Sequence, residues 1–330
     1  MCLLFTPLCY NRITERVKAM NELQTIHNQN EIQQTQNVNT ELLHRFLNYI
    51  DASEKTVQTY TRALKQFFKY LYEHNITQPT RSDVLAFRDY LRDEGRKPTT
   101  IKSYIVSVRL FFQWTNQEGF YPNIADKIKG AKLDQAHKKD YLTTEQVKDV
   151  LDNIDTSTVT GARDYAIIAL MVTGGLRTIE VSRADMEDIR NVGDSPALYI
   201  QGKGREEKTE YVKLPLQVFK AIGRYREMLD KQYEILFAST SNNNKGKRLT
   251  TRSISGIVKK RLKEAGYTSD RLTAHSLRHT AGTLNLMNGG SLEETQQLLR
   301  HSNINTTMIY LHHLERSKNQ SEKRIADALF

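Results

Sequence analysis

Apolar residues recur every three or four positions along most of the chain, which is the period of an amphipathic helix. Between residues 41 and 119 the pattern predicts four helices, with Ser53 capping the second and the third extending from Asp83 to Glu94. The fourth begins at Pro98, a residue favoured in the first turn of a helix, and ends near Gly119. Four helices in about 80 residues predict a small all-α bundle.

The pattern changes in the second half of the chain, where helices alternate with short strands. Residues 163–173 are apolar on nearly every side, which predicts a central buried helix. Gly174 and Gly175 predict a sharp turn after it, and Gly202-Lys203-Gly204 predicts the tip of a hairpin. The predicted elements are helices over residues 144–154, 163–173, 217–233 and 251–266 and strands over residues 197–200 and 209–214.

Residues 21–39 are rich in Asn, Gln and Thr and contain few apolar residues, a composition that cannot bury a core, and we predict a flexible N-terminal segment over residues 1–39. The two cysteines, Cys2 and Cys9, cannot form a disulfide framework and indicate a reducing compartment, so we expect a cytoplasmic protein. No apolar run approaches the ~18 residues that span a bilayer, and we expect neither a signal peptide nor a membrane partner. Met1 and Met20 are both candidate starts, and the sequence does not decide between them.

A polar, basic stretch separates the two halves and predicts a linker between domains. The last residues, about 315–330, are again amphipathic and predict a tail helix. The fold class is therefore expected to be mainly α with a small antiparallel β-sheet. The predicted division is a flexible segment over residues 1–39, a helical domain over 40–120, a basic linker over 121–140 and a second domain over 141–330.

The positive net charge of the chain suggests that it binds a negatively charged partner. The formal net charge is +10, a surplus typical of proteins that bind a polyanion such as nucleic acid, although a generally basic protein would show it too. Several basic residues share helix faces, which are either a solvated surface or a surface that contacts DNA. These candidate DNA-binding residues are Arg62, Lys65, Lys69, Lys102, Arg109, Lys259 and Lys260.

Candidate chemistry is concentrated near the end of the chain and beside the glycine turn. His275 and Arg278 are three residues apart and share a helix face, and His301 and Tyr310 follow on the next two helices. Arg177 begins a helix after the glycine turn, where an anion is favoured, although an ordinary surface ion pair would also explain it. Taken singly, each of these residues is ordinary, and only the combination indicates a site.

Phosphodiester transesterification needs these residue types. A phenol, with a pKa near ~10, attacks phosphorus only when neighbouring groups stabilise its anion. Guanidinium groups and histidine N–H donors suit the charge on the non-bridging oxygens of the transition state. The departing 5′ oxygen needs a proton, which a lysine can supply. The sequence contains no cluster of carboxylates that would indicate a metal site and no glycine-rich loop that would indicate ATP binding. We therefore expect no cofactor.

The chain resembles the tyrosine recombinases of the phage integrase family over residues 40–315. It departs from the family at Arg300, where glycine is usual before the histidine, and we expect this exchange to tighten or shift local packing. The stretches that carry the resemblance are Thr173-Gly174-Gly175-Leu176-Arg177-Thr178-Ile179-Glu180, Gly202-Lys203-Gly204, His275-Ser276-Leu277-Arg278-His279, Leu298-Leu299-Arg300-His301-Ser302 and Thr306-Thr307-Met308-Ile309-Tyr310.

The resemblance implies a role for each residue of these stretches. Tyr310 would attack the scissile phosphate and form a 3′-phosphotyrosyl link, while His301 and two arginines would hold and neutralise that phosphate. His275 would assist in proton handling, Lys203 would be the general acid, and Glu180 would brace the arginines. An exposed hairpin tip would also explain Lys203. The implied catalytic residues are Arg177, Lys203, His275, Arg278, His301 and Tyr310, with Glu180 and His279 in supporting positions.

The resemblance also implies a partner and an assembly. A helical core-binding (SAM-like) domain and an α+β catalytic domain would form a C-shaped clamp on a double-stranded DNA recombination site. Four protomers, either alone or with a paralogous recombinase, would assemble on two sites, and the tail would dock into a neighbour or pack back on its own domain. The alternatives are a type IB topoisomerase, which relaxes DNA by the same chemistry, and a non-catalytic DNA-binding regulator, which the intact set of catalytic residues argues against.

Overall fold

A computed structural model of the chain describes residues 45–132, 140–202 and 207–330, with only the backbone described for residues 312–318. The chain folds as two compact units, Met1–Gln135 and Ala136–Phe330. The mainly helical fold class with a small antiparallel sheet is confirmed. The predicted flexible segment over residues 1–39 lies outside the described residues, and so does Lys203.

The first unit is a helical bundle whose core is built from aromatic side chains. Phe67 packs edge-on against Phe87 and Phe112, with ring centroids 5.0 and 5.9 Å apart. Phe46 lies 5.4 Å from Trp114, and such pairs bury large apolar areas. The described helices of this unit are residues 45–49, α1 (Glu54–Glu73), α2 (Arg81–Asp93) and α3 (Pro98–Gln117).

Cap residues set the ends of these helices. Ser53 is the N-cap of α1 and Pro98 is the first residue of α3, as the sequence predicts. Helix α2 begins two residues before the predicted Asp83 because Thr80 caps it, and the Asp83 carboxylate accepts a 2.7 Å hydrogen bond from the Thr80 backbone N–H. Gly95, with φ 70°, follows its end.

The second unit is organised around one buried helix, α5. Its residues Ile167, Leu170 and Met171 are at most 1% exposed, which confirms the central helix predicted from residues 163–173. The helices and strands of this unit are α4 (Thr144–Asp152), α5 (Val159–Gly174), α6 (Thr178–Arg183), β1 (Ile189–Val192), β2 (Ser195–Ile200), β3 (Glu210–Lys213), α7 (Leu216–Glu227), α8 (Thr251–Glu264), α9 (Ala274–Met287), α10 (Leu292–Leu299), α11 (Asn305–Lys318) and α12 (Ser321–Leu329), with 3-10 turns at Met186–Asp188 and Asn242–Asn244.

The described β-structure of this unit is an antiparallel sheet in the order β1-β2-β3. The predicted hairpin corresponds to β2 and β3, in which Leu198 pairs with Val212. The sequence did not predict β1, because only Ile189 and Val192 are apolar in this four-residue edge strand, too few for a recognisable alternation.

Helix α7 ends at Glu227, six residues before the predicted Tyr233. The cause is Arg226, whose side chain donates to the Tyr233 carbonyl at 2.7 Å and to the Ile235 carbonyl at 3.0 Å. Because these contacts fold the chain back on the helix, apolar spacing alone overestimates the length of α7. None of the helices in the described part of the chain is long and apolar enough to cross a membrane.

Candidate active site

Helix α9 carries His275, Arg278 and His279, three of the residues singled out from the sequence. The Arg278 side chain is 1% exposed and donates from Nη1 to the Gly175 carbonyl at 2.6 Å and from Nη2 to the Leu299 carbonyl. Its guanidinium therefore joins the glycine turn after α5 to the end of α10. Gly175 can form that turn because its φ of 57° suits glycine and its backbone lies close to Leu299.

Arg177 and Glu180 form an ion pair at the start of α6. The Glu180 carboxylate is fully buried and accepts 2.8 Å hydrogen bonds from both the backbone N–H and Nη1 of Arg177. Burial by itself raises the pKa of Glu180, but the charge of Arg300 and the bonds from Arg177 outweigh it and hold that pKa below its ordinary value. The Arg177 side chain keeps 29% of its surface exposed, so one side of its guanidinium remains open to a ligand.

Arg300, which directly follows α10, is a site residue whose contacts the sequence did not reveal. From Nη2 it donates to Glu180 Oε2 at 2.9 Å and to the Gly175 carbonyl at 3.1 Å, and from Nη1 it donates to the Gly174 carbonyl at 3.1 Å. Arg300 therefore tightens the local packing, as expected, through hydrogen bonds to residues that are distant in the sequence. Glu180 lies 120 positions away, and no local pattern signals such a contact.

His301 is held in place by its backbone and by its ring. Its N–H donates to the Gln296 carbonyl at 3.1 Å, its carbonyl accepts from Gln296 Nε2 at 2.9 Å, and its ring Nδ1 lies 2.9 Å from the hydroxyl of Thr307. Burial and the positive charges of Arg278 and Arg177 lower the pKa of His301 to about 4. The imidazole is therefore neutral at physiological pH and can donate one hydrogen bond to an anion.

Tyr310, on α11, is 5% exposed and lies between the two histidine-bearing segments. Its ring is stacked 6.4 Å from that of His301 and lies 5.3 Å from that of His279. On another side it faces Gly282 of α9, where a Cβ would come within 3.4 Å of the ring. Burial raises the pKa of Tyr310 to about 12, although Arg278 and Arg177 act in the opposite direction, so the resting phenol is protonated.

One cleft of about 290 Å³ is lined by Arg177, Arg278, Arg300, His301 and Tyr310, together with His275 and His279. His275 is exposed, and its ring lies 4.6 Å from that of His279. Burial and the positive charges of the neighbouring Arg177 and Arg300 lower the pKa of Arg278 to about 9. The Arg278 guanidinium is still a cation at neutral pH. The structure thus brings together Arg177, His275, Arg278, His301 and Tyr310 with the supporting Glu180 and His279.

The predicted general acid, Lys203, lies outside the described residues. Lys208, in the same β2–β3 connection, is described, and its Nζ donates to Asp188 at 2.6 Å and to Asp185 at 2.9 Å. Burial by itself lowers the pKa of Lys208, but the bonds to Asp188 and Asp185 outweigh it and raise that pKa. Lys208 therefore acts as a structural cation at the base of the hairpin.

The predicted DNA-binding residues of the first unit all lie on exposed helix surface. Arg62, Lys65 and Lys69 are on α1, and Lys102 and Arg109 are on α3. Arg62 also lines a cleft of about 280 Å³ together with residues of the first turn of α3.

In the second unit the two lysine candidates differ in their contacts. Lys260 is exposed, with its Nζ 3.7 Å from Glu264. The ammonium of Lys259 is engaged by the Ser269 carbonyl at 2.7 Å and the Leu272 carbonyl at 3.3 Å. Across the described ranges, no three His, Cys, Asp or Glu side chains are arranged to hold a metal ion.

Two family models match the chain. The model of the phage integrase family matches residues 140–317, and the model of the phage integrase N-terminal SAM-like domain matches residues 45–119. Among similar proteins, the tyrosine recombinase XerD of Listeria monocytogenes is 31% identical over 82% of this chain and 94% of its own length. The tyrosine recombinase XerC of Caldanaerobacter subterraneus is 29% identical over 82% of each chain.

Solved structures share the fold. The XerH site-specific recombinase in a post-cleavage complex with its difH substrate superposes with a TM-score of 0.69 at 20% identity, covering 95% of this chain and 96% of XerH. A lambda integrase dimer bound to a core site superposes with a TM-score of 0.64 at 19% identity, covering 80% of this chain and 95% of the integrase chain.

We expect Glu180→Gln to lower the free energy of unfolding at about pH 7 by about 3–5 kcal/mol, because it removes the charge buried between two guanidinium groups. Folding lowers the pKa of Glu180, so its charge stabilises the fold above its unfolded pKa of about 4.3, and this contribution is lost as the pH falls through the folded pKa. Urea unfolding at a series of pH values from about 7 down to about 3 measures the difference, which should shrink below about pH 4.3.

Glu187→Gln, at an exposed position, is the control for this experiment, and we expect it to leave stability almost unchanged. A difference between wild type and Glu180→Gln that stays constant with pH would contradict the buried ion pair.

Proposed function

We propose a residue-level mechanism for this chain, which belongs to the phage integrase family and is a site-specific tyrosine recombinase. Tyr310 Oη attacks the scissile phosphorus, the bond to the 5′ oxygen breaks, and a 3′-phosphotyrosyl link forms with release of a 5′-hydroxyl. A 5′-hydroxyl from a second site then attacks that link, which frees Tyr310 and joins the exchanged strands. Each step replaces one phosphodiester bond by another, so the bond energy is conserved without ATP.

The observation that carries this proposal is the position of Tyr310 in one cleft with Arg177, Arg278 and His301. The two guanidinium groups suit the non-bridging oxygens, where negative charge accumulates in the transition state. The neutral imidazole of His301 adds an N–H donor that needs no change of protonation. Because these donors are held by hydrogen bonds before DNA binds, little reorganisation accompanies the reaction.

Two proton transfers accompany cleavage. The phenol proton of Tyr310 leaves as the bond to phosphorus forms, and the exposed His275 in the cleft assists this transfer. The departing 5′ oxygen takes a proton from Lys203. The described lysine of the same connection, Lys208, has its ammonium engaged by two carboxylates, which supports Lys203 as the general acid.

DNA is the partner that this chemistry requires, and we assign its binding to both units. The helical domain over residues 40–120 binds the duplex through the exposed basic faces of α1 and α3, the stretch over residues 121–140 links the domains, and residues 141–330 form the catalytic domain. Arg62 beside the first turn of α3 supports this assignment, since an arginine at a helix N-terminus favours phosphate. Lys260 is the better DNA-binding candidate on α8, because the Lys259 ammonium is engaged by backbone carbonyls.

A tetramer on two DNA sites is the assembly that we propose, with the tail helix α12 as its connector. No residue of α12 is buried, and Ile325 and Leu329 are 59% and 70% exposed. The second unit also has an open groove of about 450 Å³ lined mainly by apolar residues of α4, α5, α7, α9 and α10, including Leu151, Val172 and Leu284. An apolar stripe on one protomer and an apolar groove on the next suit each other.

The biological output of strand exchange is integration or excision of a mobile element, or resolution of plasmid or chromosome dimers. Such DNA places the protein in the cytoplasm. A type IB topoisomerase would perform the same cleavage without exchanging strands between two sites, so an exchange assay separates the two activities.

We expect the wild-type protein to form a covalent adduct with DNA and Tyr310→Phe to form none, because the variant lacks the attacking oxygen. A duplex library with a randomised core and a nick next to the cleavage position traps the adduct after denaturation, and sequencing identifies the preferred site. Tyr211→Phe, an exposed tyrosine on β3, is the control. Gel-shift titration should show equal DNA binding by the variant, so that loss of the adduct is not loss of binding, and adduct formation by Tyr310→Phe would refute the assignment of the nucleophile.

We expect Lys203→Ala to slow cleavage by about 10²–10⁴-fold because the 5′ oxygen then leaves without a proton donor. A substrate with sulfur in place of that 5′ oxygen has a much better leaving group and should restore the rate. Lys208→Ala is the comparison, and the sulfur substrate should not restore any loss that it causes, since that loss comes from the missing ion pairs with Asp185 and Asp188. Equal slowing of Lys203→Ala on both substrates would exclude it as the general acid.

We expect deletion of residues 320–330 to leave cleavage of a single DNA site intact and to weaken the complex of two protomers on that site. Sedimentation velocity of the protein–DNA complexes measures this, with Lys323→Ala on the polar face of α12 as the control. Leu284→Arg, which places a charge in the groove, should have the same effect as the deletion. In a mixture of the two proteins, the Leu284→Arg variant supplies an intact tail and the truncated protein supplies an intact groove. One interface is then restored if the tail docks on a neighbouring protomer, and none is restored if the tail packs on its own unit.

A further inference from the structure

The backbone of Arg300 has a left-handed conformation, with φ 51° and ψ 50°. This conformation is uncommon for residues other than glycine, which adopts it without steric cost. A strained conformation at a non-glycine residue persists where its surroundings determine it strongly, and such residues cluster at functional sites. The side chain of Arg300 shows which surroundings are involved.

The guanidinium of Arg300 is almost completely withdrawn from solvent, with 5% of the side chain exposed. It donates to the carbonyls of Leu298, Gly174 and Gly175 at 2.5, 3.1 and 3.1 Å, and to the Glu180 carboxylate at 2.9 Å. A desolvated cation with four acceptors is rigidly held, because each acceptor restrains a different direction of the planar group.

Two of these four acceptors are shared with the arginines that face the cleft. Glu180 also accepts from Arg177, and the Gly175 carbonyl also accepts from Arg278 at 2.6 Å. Arg300 is thus connected to each of the other two arginines through one common hydrogen-bond acceptor. Removing its guanidinium would take one donor from both acceptors at once and leave each held only by the arginine that faces the cleft.

We propose that Arg300 is a positioning residue that holds Arg177 and Arg278 in the orientation needed to receive the scissile phosphate. The proposal rests on the roles assigned above to those two arginines. Arg300 also lines the cleft, but we assign it no contact with the phosphate, because its Nη donors are taken by the Leu298, Gly174 and Gly175 carbonyls and by Glu180. Its contribution is to fix the carboxylate and the carbonyl on which the other two guanidinium groups are anchored.

The test compares Arg300→Gly with the wild type, since glycine adopts the left-handed backbone without steric cost while the whole side chain, including its guanidinium, is removed. The readouts are the single-turnover rate of adduct formation at saturating DNA and the dissociation constant of the same duplex, selected by covalent capture. We expect a rate loss of roughly 10²-fold, the size that a misplacement of about 1 Å produces, with unchanged DNA affinity. Affinity should persist because it comes mainly from contacts spread along the DNA backbone.

Chemical rescue separates positioning from general stability. The guanidinium ion fits the space and the acceptors that Arg300→Gly leaves, so millimolar guanidinium should restore the rate, whereas urea, which is planar and uncharged, should not. Arg226→Ala is the control, because Arg226 is also buried and donates to backbone carbonyls, but it lines no part of the cleft. We expect Arg226→Ala to lower the midpoint of thermal unfolding with no guanidinium-dependent change in rate.

A wild-type rate in Arg300→Gly, or a loss that guanidinium does not restore, would overturn the proposal. A crystal structure of Arg300→Gly gives an answer that does not depend on activity. Displaced Arg177 and Arg278 side chains support the proposal, and unchanged ones overturn it. Absence of any adduct with the wild-type protein would instead refute the proposed function, while the crystal structure would still decide the role of Arg300.

Discussion

The buried carboxylate of Glu180 is the interaction on which the geometry of the site depends. Arg177 and Arg300 both donate to this carboxylate. Arg278 lies nearby, and its pKa is lowered to about 9 by burial and by the charges of Arg177 and Arg300. Three cations gathered in a region of low dielectric repel one another strongly unless an anion is enclosed with them. Glu180 supplies that anion, and the cluster remains positively charged after it has done so.

The charge that remains is suited to the reaction rather than to the resting DNA. Three guanidinium groups less one carboxylate leave two positive charges among the described residues of the site. A phosphodiester carries one negative charge, and the pentacoordinate transition state formed by an attacking phenolate carries about two. Binding that strengthens as the transition state forms accelerates the chemical step. Tyr310 and His301 stay neutral in the resting site and do not disturb this balance.

Local patterns in the sequence were sufficient for most helices and for several of the residues that the structure brings together in the cleft. Helix spacing predicted that His275 and Arg278 share a face, and the glycine turn predicted the position of Arg177 at a helix start. Strand β1 and the end of α7 were not predicted correctly, since an edge strand with two apolar residues and a chain reversal held by Arg226 depend on tertiary contacts. For the same reason the sequence marked Arg300 as unusual without showing its partners.

Gly282 helps to locate Tyr310 because it has no side chain. Leu299 and the ring of Tyr310 both occupy the space in front of this residue, at 2.8 and 3.4 Å from where a Cβ would stand. The basic side chains on the faces of α1 and α3 are exposed, so packing does not restrict their exchange. Directed evolution toward a new DNA sequence can therefore vary those faces without repacking a core, whereas even a single methyl group added at Gly282 would force Leu299 to move beside the ring of Tyr310.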